Sequence, residues 1–276
     1  MPNRQQVLAV RYRDALIGVR RQVAARVDRN WRNLGSWDEA DVPRFLDATL
    51  PVVSAGQRRT VSLTDAYLSR AAGLAPVGLG PAGLIGAAVR SGTDPADVYR
   101  RPFVQHWTAL SNGTPFDSSI NAAGVRAAQS AETDVSLTMR ASADSYAAEQ
   151  EAFAQRVVGW ERVLDPDACA FCAAASTQRY SSPLLEGLHT SCQCGVAPVF
   201  AENSKAIKDF NRQVLRNIKE ANAGADKPYW EARHFRVNGE TGEVILPEVA
   251  VHQHGELGAV IGDAAHDFTG PASIAA

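Results

Sequence analysis

From Asp117 to Val158 the chain has no proline, a single glycine at Gly124 and a high density of alanine. Proline and glycine end helices and alanine favours them, so this stretch predicts one long helix of roughly 60 Å at 1.5 Å per residue. A helix of that length is a poor fit to a compact sheet-based enzyme core. It constrains the first part of the chain to an antiparallel assembly of long helices.

The segments before it agree. From Leu8 the apolar residues fall at Leu8, Tyr12, Leu16, Val19, Val23, Val27, Trp31 and Leu34, in steps of three or four, which is one amphipathic helix. Its other face is read as carrying Arg4, Arg11, Arg13, Arg20, Arg21, Arg26, Arg29 and Arg32 against Asp14 and Asp28. Two readings are open: a helix laid against nucleic acid or an acidic protein surface, or a solvated face whose arginine stems cover apolar neighbours. Gly35 ends this helix, and Ser36 with Glu39 has the spacing of a capping box for a second one. That helix is expected from near Trp37 to about Ala72, bent at Pro51. Ala71 to Val89 carries no charge, but five glycines and two prolines make it a loop rather than a membrane span. Asp94 or Thr93 before Pro95 starts a short helix through Val98, Phe103 and Trp107, and Asn112-Gly113 stops it. The fold class expected is therefore a mainly α N-terminal domain with long helices, residues 1–158.

At Gly159 the pattern changes. Trp160, Arg162 and Leu164 alternate with residues of the opposite face, Asp165-Pro166-Asp167 breaks the run, and Val196 to Phe200 reads as a short strand. Asn203 to Asn222 reads as a helix, and Phe235 to Leu246 as a hairpin turning at Asn238-Gly239 or Thr241-Gly242. This is a small α+β C-terminal domain, residues 159–250, expected to be stabilised by zinc. Residues 251–276 read as a flexible tail, with the loosely ordered part from Gly255 to Ala276.

The zinc expectation comes from the cysteines. All four lie within one short region, as Cys169-x2-Cys172 and, after sixteen residues, His189-x2-Cys192-x-Cys194. A C-x2-C turn presents two thiolates to one ion, and a second pair completes the tetrahedral set of a structural zinc site. Cys169, Cys172, His189 and Cys194 are the preferred ligands, with Cys192 as the substitute. Two disulfides, a redox C-x2-C and a catalytic zinc with Glu186 as base are the competing readings.

Other signals are weaker. Gly78-Leu79-Gly80-Pro81-Ala82-Gly83 matches G-x-G-x-x-G with no strand before it, and His252, His254 and His266 read as surface residues. No zincin, nucleophile-elbow or P-loop spacing occurs. With 28 basic against 30 acidic residues, the chain lacks the overall positive charge of a general nucleic-acid binder, so any basic surface is local. Met1 to Arg13 sets arginines where a secretory signal would be apolar, which predicts a cytoplasmic protein.

The run Gly159-Trp160-Glu161-Arg162-Val163-Leu164-Asp165, Ala168-Cys169-Ala170-Phe171-Cys172, His189-Thr190-Ser191-Cys192-Gln193-Cys194 and Val199-Phe200 resembles the minor head proteins of tailed phages, of the phage Mu F type. His254-Gly255-Glu256-Leu257-Gly258 and Phe268-Thr269-Gly270-Pro271 resemble the tails of such proteins in phages of actinobacteria. The chain departs from the family after Cys172, where Ser176-Thr177-Gln178-Arg179 replaces the usual glycine turn, and at Gln193, between the last two cysteines. The resemblance implies a role in head morphogenesis at the portal or capsid interior, in the host cytoplasm during assembly and then in the virion. It implies portal, major capsid and scaffold proteins as partners; the basic first helix adds packaged DNA as a further candidate partner, and no membrane is expected. Some similar proteins carry the label capsid maturation protease. That is the alternative function and the only enzyme activity expected, with Ser176 and Ser191 as local nucleophile candidates.

Overall fold

The computed structural model describes residues 4–164, 170–185, 194–221, 236–237, 244–245, 249–254 and 258–263. Its body is four helices: α1 (Arg4–Arg32), α2 (Asp41–Ala72), α3 (Pro95–Ser111) and α4 (Phe116–Glu149). α1, α2 and α4 pack on one another, and α3 closes over α4. Val19, Val23, Val27 and Trp31 of α1 meet Phe45 and Val53 of α2, Phe103 of α3 and Ala127, Ala131 and Val135 of α4. The alanines predicted to favour helix thus also let α4 approach its neighbours closely. No helix among the described residues is long and apolar enough to cross a membrane.

A small sheet is built onto one end of this body. After the short α5 (Glu151–Ala154) comes β1 (Val157–Val163), then α6 (Ala170–Ser176), β2 (Gly195–Phe200) and α7 (Ser204–Ala221). β1 and β2 are antiparallel, with Gly159 opposite Val199 and Val163 opposite Gly195. Every residue of β2 is buried, because α1 contacts it as well as α7. One core cluster accordingly runs from Ala9, Tyr12 and Leu16 through Tyr67, Leu68 and Tyr146 to Phe153, Trp160, Val196 and Phe200, so apolar packing crosses position 158 without a break. Gly159 admits a close approach here, since a Cβ on it would lie 2.5 Å from the Arg179 side chain and 3.0 Å from the Tyr180 carbonyl. Tyr180 then pairs with Trp160 through two backbone hydrogen bonds of 2.8 Å.

The mainly helical expectation therefore holds, with long N-terminal helices and a small sheet, but several details differ. The long helix ends at Glu149 rather than Val158, and Gln150 leaves helical geometry at φ −107°, ψ 89°. Seven further residues of helix would set Tyr146 and Phe153 about 10 Å apart along the axis. Their rings instead sit 5.0 Å apart, and Phe153 also meets Trp160 and Phe200 at 5.9 and 5.8 Å. Packing those four aromatics together takes a break in the helix.

α2 begins at Asp41, not near Trp37, and the capping box of Ser36 and Glu39 does not form. The Asp41 carboxylate accepts from the Ser36 and Trp37 N–H groups at 2.9 and 2.8 Å and from the Ser36 hydroxyl at 3.0 Å. Glu39 pairs with Arg100 at 2.6 Å. On α1, Arg13 and Arg20 are buried at 5 and 1 % exposure, so the solvent face carries Arg4, Arg11, Arg21, Arg26, Arg29 and Arg32.

Beyond α7, β3 (Arg236–Val237) pairs with β4 (Val244–Ile245), as the predicted hairpin requires, and both candidate turns lie outside the described residues. β5 (Val249–His254) pairs with β6 (Gly258–Asp263). Gly258 to Asp263, read from sequence as loose tail, is thus strand. Val251 stands opposite Ile261 and His252 opposite Val260, a short alternating pattern masked in the sequence by surrounding glycines.

Candidate metal centre at the end of the small sheet

The β1–β2 register fixes where the cysteine segments start. With Val163 opposite Gly195, residues 164 and 194 stand side by side at one end of the sheet. The chain leaves β1 at Leu164 toward Cys169 and re-enters β2 directly from Cys194, so the two halves of the Cys/His cluster depart from the same end. Cys194 is buried at 5 % exposure, and Cys172, on α6, is fully buried. Cys169, His189 and Cys192 lie outside the described residues, as do Glu186, Ser191 and His266. Among the described residues no three His, Cys, Asp or Glu side chains are grouped to hold a metal ion.

The frame around this end is well tied. The Arg13 guanidinium donates to the Leu164 carbonyl and pairs with Asp14 at 2.7 Å, so α1 holds the last residue before the first cysteine segment. The Arg13 stem also packs against Gly195, whose Cβ position is 3.6 Å from Arg13 Cβ. On the other side, the Tyr180 hydroxyl donates to the Ala175 carbonyl at 2.7 Å and Asn211 of α7 donates to the Thr177 carbonyl at 3.2 Å. The Arg162 guanidinium lies over the Tyr180 ring, 5.6 Å from its centre. A closed structural site takes four Cys or His ligands, and of the candidates Cys172 and Cys194 are the two whose positions the structure describes.

The remaining candidates resolve differently. Ser176 Oγ donates to the Ala173 carbonyl at 2.7 Å, which occupies the proton a nucleophile would have to surrender. A serine–histidine pair that the sequence reading missed does occur: His106 Nδ1 lies 2.8 Å from Ser119 Oγ. Ser119 donates to the Phe116 carbonyl at 2.7 Å, so the imidazole supplies the proton between them, the reverse of a nucleophile–base pair. Both residues are buried at 1 % exposure, and burial holds the His106 pKa below its ordinary value. This pair ties α3 to the first turn of α4.

The glycine-rich loop is also spoken for. Val77 and Gly78 N–H donate to the two Asp65 carboxylate oxygens at 3.0 and 2.7 Å, and Leu79 N–H donates at 3.1 Å. These amides form the kind of nest that binds phosphate, and an internal carboxylate already fills it. His252 and His254 lie on β5.

One titratable group stands out that sequence reasoning did not single out. Glu161, on β1, lines a small cavity with Gln5, Gln6 and Ala9 of α1, Tyr67 and Ala71 of α2, and Ala197, Pro198 and Phe200 of β2. Burial pushes its pKa up to about 7, and burial likewise raises the Tyr67 phenol, to which the charges of Tyr12 and Glu161 add. The alternation of β1 placed Glu161 on the face opposite Trp160; what it did not reveal is that α1 and α2 cover that face too. Comparison with family models, with curated proteins and with solved structures finds no match to this chain.

Proposed function

We propose that this chain is a minor head protein of the phage Mu F type, acting in virion head assembly at the portal or the capsid interior. Its small C-terminal module is stapled by a structural zinc held by Cys169, Cys172, His189 and Cys194, with Cys192 as the substitute fourth ligand. The observation that carries the reading is the β1–β2 register, which sends both halves of the Cys/His cluster out from one sheet end. A long helical body joined to such a module matches the layout the sequence resemblance implies. The zinc supplies cross-linking that a sheet of two short strands lacks.

The capsid maturation protease alternative draws no support from the described residues, where the Ser176 and Ser119 hydroxyls are both committed as donors to backbone carbonyls. Two measurements test the proposal. Mass spectrometry of purified particles should find the chain retained, and co-expression with the capsid protein should leave that protein uncut. Cleavage that depends on this chain, together with its absence from particles, overturns the assembly role. Elemental analysis of the purified protein should find one zinc per chain, lost in Cys172→Ser; a zinc-free native protein overturns the metal site.

A further inference from the structure

The exposed side of α1 is a strip of arginine along almost its whole length. Arg4, Arg11, Arg21, Arg26, Arg29 and Arg32 are all solvent-exposed. Arg11 and Arg29 are eighteen residues apart, five full turns, and so stand on one line about 27 Å apart; Arg4 lies about 20° off that line. Of the six, Arg32 is paired with Asp28 at 2.8 Å, whereas no other among the described residues has a carboxylate within 4.0 Å. Asp14, the other acid on this face, is taken by the buried Arg13. Glu132 of α4 lies near enough to Arg20 and Arg21 for their charges to act on it. The strip thus presents five positive charges with little local compensation, on a chain whose total charge is −2.

The residues between the arginines decide what such a strip suits. Ala15, Gln22 and Ala25 are exposed and Gly18 is half-buried. The one large apolar side chain exposed on α1 is Val7, at 36 %, near its start. Protein interfaces draw their affinity from a desolvated core of aromatic and large aliphatic anchors within a polar rim. This face has the rim chemistry without the anchors. Small residues flanked by arginines allow a phosphate backbone to come close while each guanidinium reaches out to an oxygen, through geometry that fits phosphate with two parallel donors.

We infer that the exposed arginine strip of α1 is a binding surface for the phosphate backbone of double-stranded nucleic acid, independent of base sequence. The inference rests on α1 alone and is independent of the function proposed above. A straight helix following a curved duplex brings about three to five of these side chains onto phosphates. Each contact displaces condensed counterions, so the logarithm of the binding constant should fall with the logarithm of salt at a slope of about −3 to −5. Between 50 and 200 mM salt that is a loss of roughly 60- to 1000-fold in affinity.

The test uses the full-length protein and a 30-base-pair DNA duplex of arbitrary sequence, read by fluorescence anisotropy. The variant Arg11→Gln, Arg21→Gln, Arg26→Gln, Arg29→Gln alters only exposed side chains, and its helical circular dichroism and melting temperature serve as folding controls. The expected result is binding by the native protein with the steep salt slope, at least tenfold weaker binding by the glutamine variant with a slope near −1, and binding within about threefold of native when the same four positions are lysine. Absence of duplex binding at 50 mM salt overturns the inference, as does a folded glutamine variant that binds like the native protein. Stronger binding to poly-glutamate or to phosphatidylglycerol vesicles than to the duplex also overturns it, and assigns the strip to an acidic protein or a membrane surface.

Discussion

The Trp31 indole donates from Nε1 to the Ile120 carbonyl at 2.9 Å, and its Cδ1 lies only 2.7 Å from where a Cβ on Gly124 would stand. One aromatic side chain thus sets how closely α1 and α4 approach. Phe45 and Phe103 meet the same ring edge-on at 5.5 and 4.8 Å, so the indole has no free side toward which to retreat. Gly124→Ala should destabilise the protein by about 1–3 kcal/mol, the usual cost of overpacking a filled core. Urea denaturation checks this. An unchanged midpoint would mean that α4 slides without cost.

A second prediction concerns Asp134, buried at 4 % exposure on α4. It accepts from Arg90 and, at 2.7 Å, from the Tyr99 hydroxyl, and so ties the loop before α3, and α3 itself, to α4. Burial raises its pKa despite the opposing pull of Arg90. Asp134→Ala leaves a guanidinium and a phenol without their acceptor and should cost about 3–5 kcal/mol. Tyr99→Phe removes one bond only and should cost about 1–2 kcal/mol. Thermal unfolding of the two variants, compared at one pH, distinguishes them.

Glu161 gives the stability a pH dependence. Its folded pKa of about 7 stands above the ordinary 4.5, so near pH 6 the native state holds a proton that the unfolded chain has released. The stabilisation carried by the neutral carboxyl is complete below pH 4.5 and is lost as pH rises through about 7. Glu161→Gln should therefore match the native protein at pH 4 and exceed it by about 1–3 kcal/mol at pH 8. Denaturant titrations at the two pH values test it; equal differences at both would separate the effect from ionisation.

Asp65 holds the glycine-rich loop. Replacing it with alanine frees the amides of Val77, Gly78 and Leu79 together, and their hydrogen exchange should accelerate by about tenfold or more. Asn112 and Gly113, whose amides bond to the end of α3, should exchange as before. Uniform acceleration across the protein would indicate global destabilisation instead.

Sequence patterning reads the elements well where one physical rule dominates. The three-and-four spacing from Leu8 to Leu34 marked α1, and Asp94-Pro95 marked the start of α3, where the Asp94 carboxylate accepts from the Ala96 amide at 2.8 Å. It fails where contacts distant in sequence decide. The end of α4 is set by Tyr146, Phe153, Trp160 and Phe200, which come from four elements, α4, α5, β1 and β2. Charge alone puts Arg13 and Arg20 on the solvent face, but both are buried. Arg13 and Trp31 are eighteen residues apart and share one line of the helix, so counting turns would have placed Arg13 inside the apolar arc. At the candidate site, spacing identified the donor types. The strand register that brings their segments to one sheet end became visible only in the fold.

The contact between Arg13 and Leu164 also sets a timetable. The two residues are separated by 151 positions, and at about 5–20 residues per second a ribosome takes roughly 8–30 s to supply the second after the first. α2 arrives earlier and covers part of α1, stacking Tyr67 on Tyr12 at 4.1 Å. The surface around Ala9 that β2 will cover waits longer. During synthesis α1 is an unfinished half-site, closed only when β2 has left the ribosome.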